Sequence, residues 1–273
     1  MRRDLSRQTF LGMDSERDLA SVVVGIIGLG GGGSHVAQQL AHVGVKKYVV
    51  ADPDAVEDSN LNRLVGATAE DVHQKRKKVE IARRTILSVN PDATVHSICG
   101  NWQSGEALFR ACNVIFGCVD SYSEREQLER FCRRFLIIYI DIGMDVIECP
   151  DEVRIVGQVA QSFPGVQCLR CMMIITEHKL QREAETYGAA GPKPQVIWPN
   201  GVLASAAVGL FIRAISCYGP KLEPVYLEYN GYDSILMSSP RLRYVLREHC
   251  THYAIVSLGD PFFRLATEET KAA

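Results

Sequence analysis

Short continuous apolar runs alternate along this chain with stretches of helical period, and each pattern predicts an element. Residues 22–27 are apolar without polar alternation, as expected of a strand buried on both faces of a parallel sheet. Gly28, Gly30, Gly31, Gly32 and Gly33 follow, with Gly33 or Ser34 opening a helix, and residues 46–51 form the next strand, closed by Asp52. Val72, Val79, Ala82 and Ile86 recur at helical spacing, so residues 69–89 are expected to form one long helix, capped by Thr68 with Asp71 as its third-position partner. Lys75, Arg76, Lys77 and Lys78 then fill one turn of that helix and point in different directions. Asn90 and Pro91 stop it. Further strands are expected at residues 93–98, at 114–116, and at 136–140 with Asp141 at its end; a helix capped by Ser121 or Ser123 separates the last two.

The second half is less regular. Residues 152–160 read as a strand of an antiparallel extension. Residues 162–173 form a loop carrying Cys168 and Cys171, and residues 176–194 are a polar, glycine-containing connection. Residues 200–218 form an apolar helix rich in small side chains. Residues 224–229 and 233–237 bracket Asn230-Gly231 as a hairpin, and the chain frays from Thr267 onward. No internal repeat is present. Strands alternating with helices give an α/β fold: a Rossmann-like, open, mostly parallel sheet with helices on both faces, extended by a C-terminal antiparallel portion.

The glycine turn makes the first unit a nucleotide-binding βαβ element. Missing side chains let the backbone turn tightly, and the amide end of the helix then faces a phosphate. An acid at the end of the second strand, here Asp52, typically takes a ribose hydroxyl. Asp120 and Asp141 also fall at strand ends, the edge where ligands of such sheets lie. Each acid can equally serve as a cap or turn residue.

Composition narrows the class. The 273 residues are 47% apolar, enough for a substantial core, and 30 basic against 32 acidic side chains give a formal charge of -2, with no polybasic character of the kind that binds nucleic acid. The apolar run 202–212 falls short of the roughly 20 residues that span a bilayer. The N-terminal segment lacks an apolar signal core, and nine cysteines, mostly in apolar contexts, fit reduced core thiols of a cytoplasmic protein.

Several separate motifs together resemble the ThiF/MoeB-type adenylyltransferases, bacterial relatives of ubiquitin-activating enzymes, over roughly residues 5–253. Residues 28–34 are similar to that family's ATP-binding loop, and Asp52 and Asp54 to its acidic pair, with Asp52 on the ribose. In Ser59-Asn60-Leu61-Asn62-Arg63 the resemblance places Asn60 and Arg63 toward the phosphates. Lys78 resembles the phosphate-binding lysine, with Lys75 as the fallback, and Asp120 resembles the Mg²⁺-associated aspartate. Ser6-Arg7-Gln8 is similar to the element that lends an arginine, here Arg7, to the partner subunit of a homodimer. The resemblance divides the chain into an N-terminal arm (1–20), an ATP-binding portion (21–145) and a carrier-binding, possible zinc-binding portion (146–268) of the same domain. It implies ATP- and Mg²⁺-dependent adenylation of the C-terminal carboxylate of a small ubiquitin-like or sulfur-carrier protein with a Gly-Gly tail. A carboxylate nucleophile is already ionised at neutral pH, so the lack of an evident Ser-His-Asp or Cys-His arrangement fits.

Cys168 and Cys171 have the spacing of two tetrahedral zinc ligands. The resemblance places a second cysteine pair near the C-terminus, where Cys250 is present but Tyr253 stands at the other position. Either His252 or His249 completes a Cys₃His structural zinc site, or the region is a metal-free remnant; His252, two residues from Cys250, has a short reach. Between Met172 and Ser216 there is no cysteine for a thioester, and Cys217 is a poor candidate. Two other functions compete: adenylation of a carboxylate on a modified tRNA nucleoside, using the basic residues of the long helix, and a nucleotide-binding scaffold without turnover. A dinucleotide oxidoreductase would need a proton-transfer group that the sequence does not offer.

Overall fold

The computed structural model describes residues 4–150, 152–185, 194–216, 218, 224–245, 250–253 and 259. The strands are β1 (Val23–Ile27), β2 (Lys47–Ala51), β3 (Thr94–Ile98), β4 (Val114–Gly117), β5 (Ile138–Cys149), β6 (Glu152–Ser162), β7 (Val225–Asn230) and β8 (Ile235–Ser238). The helices are α1 (Ser15–Ser21), α2 (Gly31–Val43), α3 (Ala69–His73), α4 (Lys78–Val89), α5 (Glu106–Phe109), α6 (Tyr122–Arg134), α7 (Glu177–Glu185) and α8 (Ile197–Ile215). One sheet holds all eight strands in the order β3-β2-β1-β4-β5-β6-β7-β8. The ladders from β3 to β5 are parallel and those from β5 to β8 antiparallel. The expected α/β sheet with its antiparallel extension is thus observed. The strand order reverses between β1 and β4, and the ends of these strands open the crevice in which such folds hold ligands.

Both faces of the sheet are covered, which is why β1 and β4 lack polar alternation. On one face Val24, Ile26 and Phe116 pack with Val36 and Leu40 of α2 and Leu203 and Phe211 of α8. On the other, Ile27, Ile115 and Tyr139 pack with Phe109 of α5 and with Leu128 and Phe131 of α6. By length and mean hydropathy alone, α8 (19 residues, 1.3) is long and apolar enough to cross a membrane. In the fold it is a core helix: Leu203, Ala204, Ala207 and Phe211 are fully buried against α2 and the sheet.

The structure corrects several expectations. The helix expected over residues 69–89 is two helices, α3 and α4. Thr68 and Asp71 form the expected capping box. The chain then leaves helical geometry at Lys75, whose φ is 49°. Val56 N–H bonds to Arg76 O (2.8 Å) and Lys78 N–H to Asp54 O (3.1 Å), so residues 76–78 lie along residues 54–56 instead of completing a turn. The basic run is therefore a connection, and Lys78 opens α4. β5 does not end at Asp141 but continues to Cys149, because β6 pairs with it along its whole length. Asp141 consequently sits mid-strand, fully buried, and takes Arg125 Nη1 at 2.8 Å and the Tyr139 hydroxyl at 3.1 Å. It braces α6 rather than facing a ligand. The connection at 176–194 contains α7; its residues 186–193, like Cys217, His249 and the tail from Thr267, lie outside the described residues. The β7–β8 hairpin forms around Asn230 and Gly231 as expected.

Candidate functional site

The glycine-rich turn follows β1, and its glycines answer to different constraints. Gly28 adopts φ +84°, and a side chain there would strike the Cys118 carbonyl. Gly33 packs on the Gly28 carbonyl, which lets α2 approach β1, so it acts in packing behind the cavity wall. A Cβ on Gly31 would come within 2.5 Å of Asn200 Nδ2. A Cβ on Gly30 would meet nothing within 4 Å; its side-chain position faces open space. The turn and the N-terminus of α2 thus present backbone amides and the positive end of a helix dipole to a cleft. Ser34 Oγ ties this end of α2 to the following loop by accepting from Val65 N–H at 3.0 Å.

The cleft encloses about 240 Å³ and is lined by Gly28, Gly30, Gly31, Asp52, Asp54, Arg63, Lys78 and Asp120, all predicted from sequence. Asn60 is buried outside this lining, and its Oδ1 closes a turn by accepting from Glu57 N–H at 3.1 Å. Arg7 is exposed on the N-terminal segment and is not part of the lining.

Asp52 is buried, accepting from Leu29 N–H (2.7 Å) and Asp54 N–H (2.9 Å). Burial pushes its carboxyl above the ordinary range; Lys78 and the two amides pull against that. Lys78 Nζ lies 2.7 Å from Asp54 Oδ2 and 3.7 Å from Asp52 Oδ1. The helix break makes this possible, because it places Lys78 in the first turn of α4 beside the end of β2. Arg63, half-buried, donates to Ser59 O (2.6 Å) and Asn62 Oδ1 (3.0 Å). Across the cleft, Asp120 follows β4, and its Oδ1 accepts from Gln195 Nε2 at 3.1 Å.

Sequence reasoning missed Glu124, Gln195 and Asn200 of the lining. Glu124 lies in the first turn of α6, and burial, together with the charges of Asp52 and Asp120, raises its carboxyl. Asp120 with Glu124 offers hard oxygen donors of the kind Mg²⁺ prefers. Cys118 also lines the cleft, but burial pushes its thiol far above the ordinary range, so it is no nucleophile. The N-terminus of α6 is held from outside by Glu183 of α7, which accepts from Tyr122 N–H (2.7 Å) and Ser123 N–H (2.8 Å).

A second constellation lies behind α6. Cys168, Cys171, Cys250 and His252 bring their ligand atoms within 4.8 Å of one another. Sγ–Sγ separations are 3.5 Å (Cys168–Cys171) and 3.7 Å (Cys171–Cys250), and His252 Nδ1 lies 3.5 Å from Cys168 Sγ and 3.3 Å from Cys171 Sγ. For tetrahedral zinc with bonds of about 2.3 Å to sulfur and about 2.0 Å to nitrogen, ligand-to-ligand edges of roughly 3.5–3.8 Å follow. The donor set fits such an ion. The short reach of His252 is met by using Nδ1, the ring nitrogen nearer the backbone. The Cys250 thiol is lowered, chiefly by its hydrogen bond with Cys168; the same bond raises the Cys168 thiol, and burial raises that of Cys171. Tyr253, at the position of the missing cysteine, turns inward and donates to Glu129 Oε2 at 3.0 Å.

A sequence model of the ThiF family matches residues 1–251. This chain belongs to the ThiF family. Among characterised members it is 30% identical over 195 residues to the sulfur carrier protein ThiS adenylyltransferase of Escherichia coli strain K12, covering 68% of this chain and 73% of that protein. It is 28% identical to ubiquitin-like modifier-activating enzyme 5 of Caenorhabditis briggsae, covering 59% of this chain and 40% of that one. The fold is also similar to E. coli MccB crystallised with ATP, with a TM-score of 0.66, 21% identity, and coverage of 82% of this chain and 65% of MccB. This ThiF-family chain therefore spans most of the ThiS-activating relative and under two thirds of the other two.

Proposed function

We propose that this chain catalyses ATP-dependent adenylation of the C-terminal carboxylate of a small ubiquitin-like or sulfur-carrier protein. The observation that carries the reading is Lys78. Among the described residues Lys78 is held by Asp54 and, more distantly, by Asp52, in a polar cleft that Arg63 and Gly30 also line, so an anionic ligand entering there meets a cation whose present partners it can replace. Family membership, and relatives that activate ThiS and a ubiquitin-like modifier, point to the same chemistry.

In this reading the α2 amides and Gly30 cradle the triphosphate, and Asp52 accepts ribose hydroxyls with the lone pairs left by its two amide bonds. A carboxylate oxygen of the carrier attacks the α-phosphorus, and the bond from that phosphorus to the bridging oxygen of the β-phosphate breaks. Pyrophosphate leaves with the electron pair, and the acyl-adenylate is formed. No proton moves, so no general base is required. Negative charge builds on the α-phosphoryl oxygens and the departing pyrophosphate, where Arg63, Lys78 and the loop amides stabilise it. Mg²⁺, held by Asp120 with Glu124 beside it, would neutralise phosphate charge. Zinc at Cys168, Cys171, Cys250 and His252 would be structural, because the four protein ligands close the tetrahedron.

The tRNA alternative finds less support. Of the basic residues it needs, Arg84 and Arg76 both pair with Asp71. Carrier-dependent ATP–pyrophosphate exchange tests the adenylation reading; exchange stimulated instead by modified tRNA would replace it.

A further inference from the structure

Helix α6 joins the two constellations. Its Glu129 side chain, fully buried, accepts from Leu169 N–H at 2.9 Å and from Tyr253 Oη at 3.0 Å. Leu169 follows Cys168 and Tyr253 follows His252, so one carboxylate holds both segments that supply the ligand cluster. One turn earlier, about 6 Å along the helix axis, Arg125 donates to Val119 O at 3.0 Å and to Asp141 Oδ2 at 2.8 Å. Val119 immediately precedes Asp120, and Glu124 immediately precedes Arg125; both acids line the cleft. A second route runs beside the first. Arg170, between the two cysteines, pairs with Glu126 of α6 and with Glu177 of α7. Glu183 of α7 in turn accepts from Tyr122 N–H and Ser123 N–H at the N-terminus of α6.

We infer that the cysteine–histidine cluster is a positioning device for the nucleotide cleft. Metal binding docks residues 250–253 onto α6 through Tyr253 and Glu129, and the helix sets Asp120 and Glu124 for the magnesium-bearing nucleotide. The inference rests on the cleft being the Mg²⁺–ATP site and is independent of which carboxylate is adenylated. Among the described residues, residues 250–253 hydrogen-bond outside themselves only to Cys168, Cys171 and Glu129. The Tyr253 ring also covers the Arg133 guanidinium, 5.0 Å from its centroid. The ligand cluster and Tyr253 are thus what dock this segment. Docked and undocked are two discrete arrangements, the kind of element through which coupling travels. Three sulfur ligands and an imidazole within 4.8 Å of one another favour a cation among them, so zinc selects the docked arrangement. Tyr253, at the position expected of a fourth cysteine, is a link instead of a ligand. Coupling between two binding events is reciprocal. Zinc therefore tightens the binding of Mg²⁺–ATP, and Mg²⁺–ATP tightens the binding of zinc by the same factor.

The test uses the full chain in excess Mg²⁺, with free zinc held at a set level by a chelator buffer. Calorimetry reads the Kd for ATP with and without zinc, and chelator competition reads the Kd for zinc with and without ATP. In wild-type protein zinc should lower the ATP Kd by roughly 5- to 150-fold, the usual range of such coupling, and ATP should lower the zinc Kd by the same factor. Tyr253→Phe keeps all four ligands, so it should still bind zinc while the factor falls toward one in both directions. A merely structural Tyr253 would lower the unfolding midpoint and leave the factor as it was, and that outcome overturns the inference. A factor of one in wild-type protein, or no zinc binding, also overturns it and leaves the nucleotide cleft standing. If the zinc-free chain unfolds, zinc-loaded wild-type and Tyr253→Phe proteins are compared: ATP binding at least about fivefold weaker in the variant is expected, and equal binding overturns the inference. No ATP binding by zinc-loaded wild-type protein overturns the reading of the cleft itself.

Discussion

The two polar constellations on either side of α6 are built on opposite principles. In the nucleotide cleft, charged groups hold partners that a ligand can displace: Lys78 between two carboxylates, Arg63 on a carbonyl and an amide, Asp120 on Gln195. Behind the helix, the partners are permanent. Glu129 is fully buried and accepts from Ser162 Oγ, from Leu169 N–H (2.9 Å) and from Tyr253 Oη (3.0 Å), with Arg133 Nε at 3.5 Å. Leu169 adjoins Cys168 and Tyr253 adjoins His252, so this network anchors both segments of the cysteine cluster to α6. The helix is thus fixed on its inner side, while its N-terminus, between Asp120 and Glu124, faces the cleft. Charge is kept available where chemistry is proposed and locked where it only supports.

That contrast makes stability and activity separable. The largest effect is expected at Glu129. Its replacement by alanine leaves the buried Arg133 cation without its carboxylate, on hydrogen bonds to Ser162 Oγ and Val166 O alone among the described residues, which costs about 3–5 kcal/mol; urea unfolding measures it, and a loss below about 1 kcal/mol would show that the network is not an anchor. Lys78→Ala should lower carrier-dependent exchange by about 100- to 1000-fold, on the scale of losing one transition-state donor, with the unfolding midpoint nearly unchanged. Equal losses of stability and activity would erase the distinction between the two sides. Zinc at 100 times its Kd should stabilise the chain by about 2.7 kcal/mol, an increment that Cys171→Ser abolishes. The absence of any zinc-dependent shift would mark the cluster as metal-free.

The smallest effect concerns Asp71, whose carboxyl is held well below the usual range, chiefly by the hydrogen bonds from Arg84. A depressed folded-state value means that the stability it contributes is fully present above the unfolded value of about 3.9 and is lost as pH falls through the folded one. Because Arg84 and Arg76 are partly exposed, Asp71→Asn should cost only about 1–2 kcal/mol at pH 7. The gap to wild type should close at pH well below 4; a gap that persists in acid would assign the loss to packing.

The parts of the fold legible in the sequence are those set by local pattern. The apolar runs at β1, β2 and β4 and the glycine turn read directly, because burial on both faces and close backbone approach each leave a local signature. The break between α3 and α4 did not, since lysine and arginine are good helix formers and the break comes from pairing with residues 20 to 24 positions earlier. The continuation of β5 was hidden by Asp141, a charge that looks terminal until Arg125 is seen to neutralise it. Within the sites, the residues lying next to the glycine loop or carrying motif spacing were legible, Asp52, Lys78 and Cys168 among them. Gln195 with Asp120 and Tyr253 with Glu129 were not, because they are 75 and 124 residues apart and carry no local signal. One signal was available and unused: Arg125, Glu129 and Arg133 recur every four residues among Leu128, Phe131 and Cys132, a charged stripe on the buried face of α6.

ATP–pyrophosphate exchange with purified protein, Mg²⁺ and Gly-Gly-ending carrier proteins tests the central claim most directly. The account predicts exchange that appears only with a carrier bearing a free C-terminal carboxylate and that Lys78→Ala lowers by about 100- to 1000-fold. ATP binding without exchange for any carrier would contradict it.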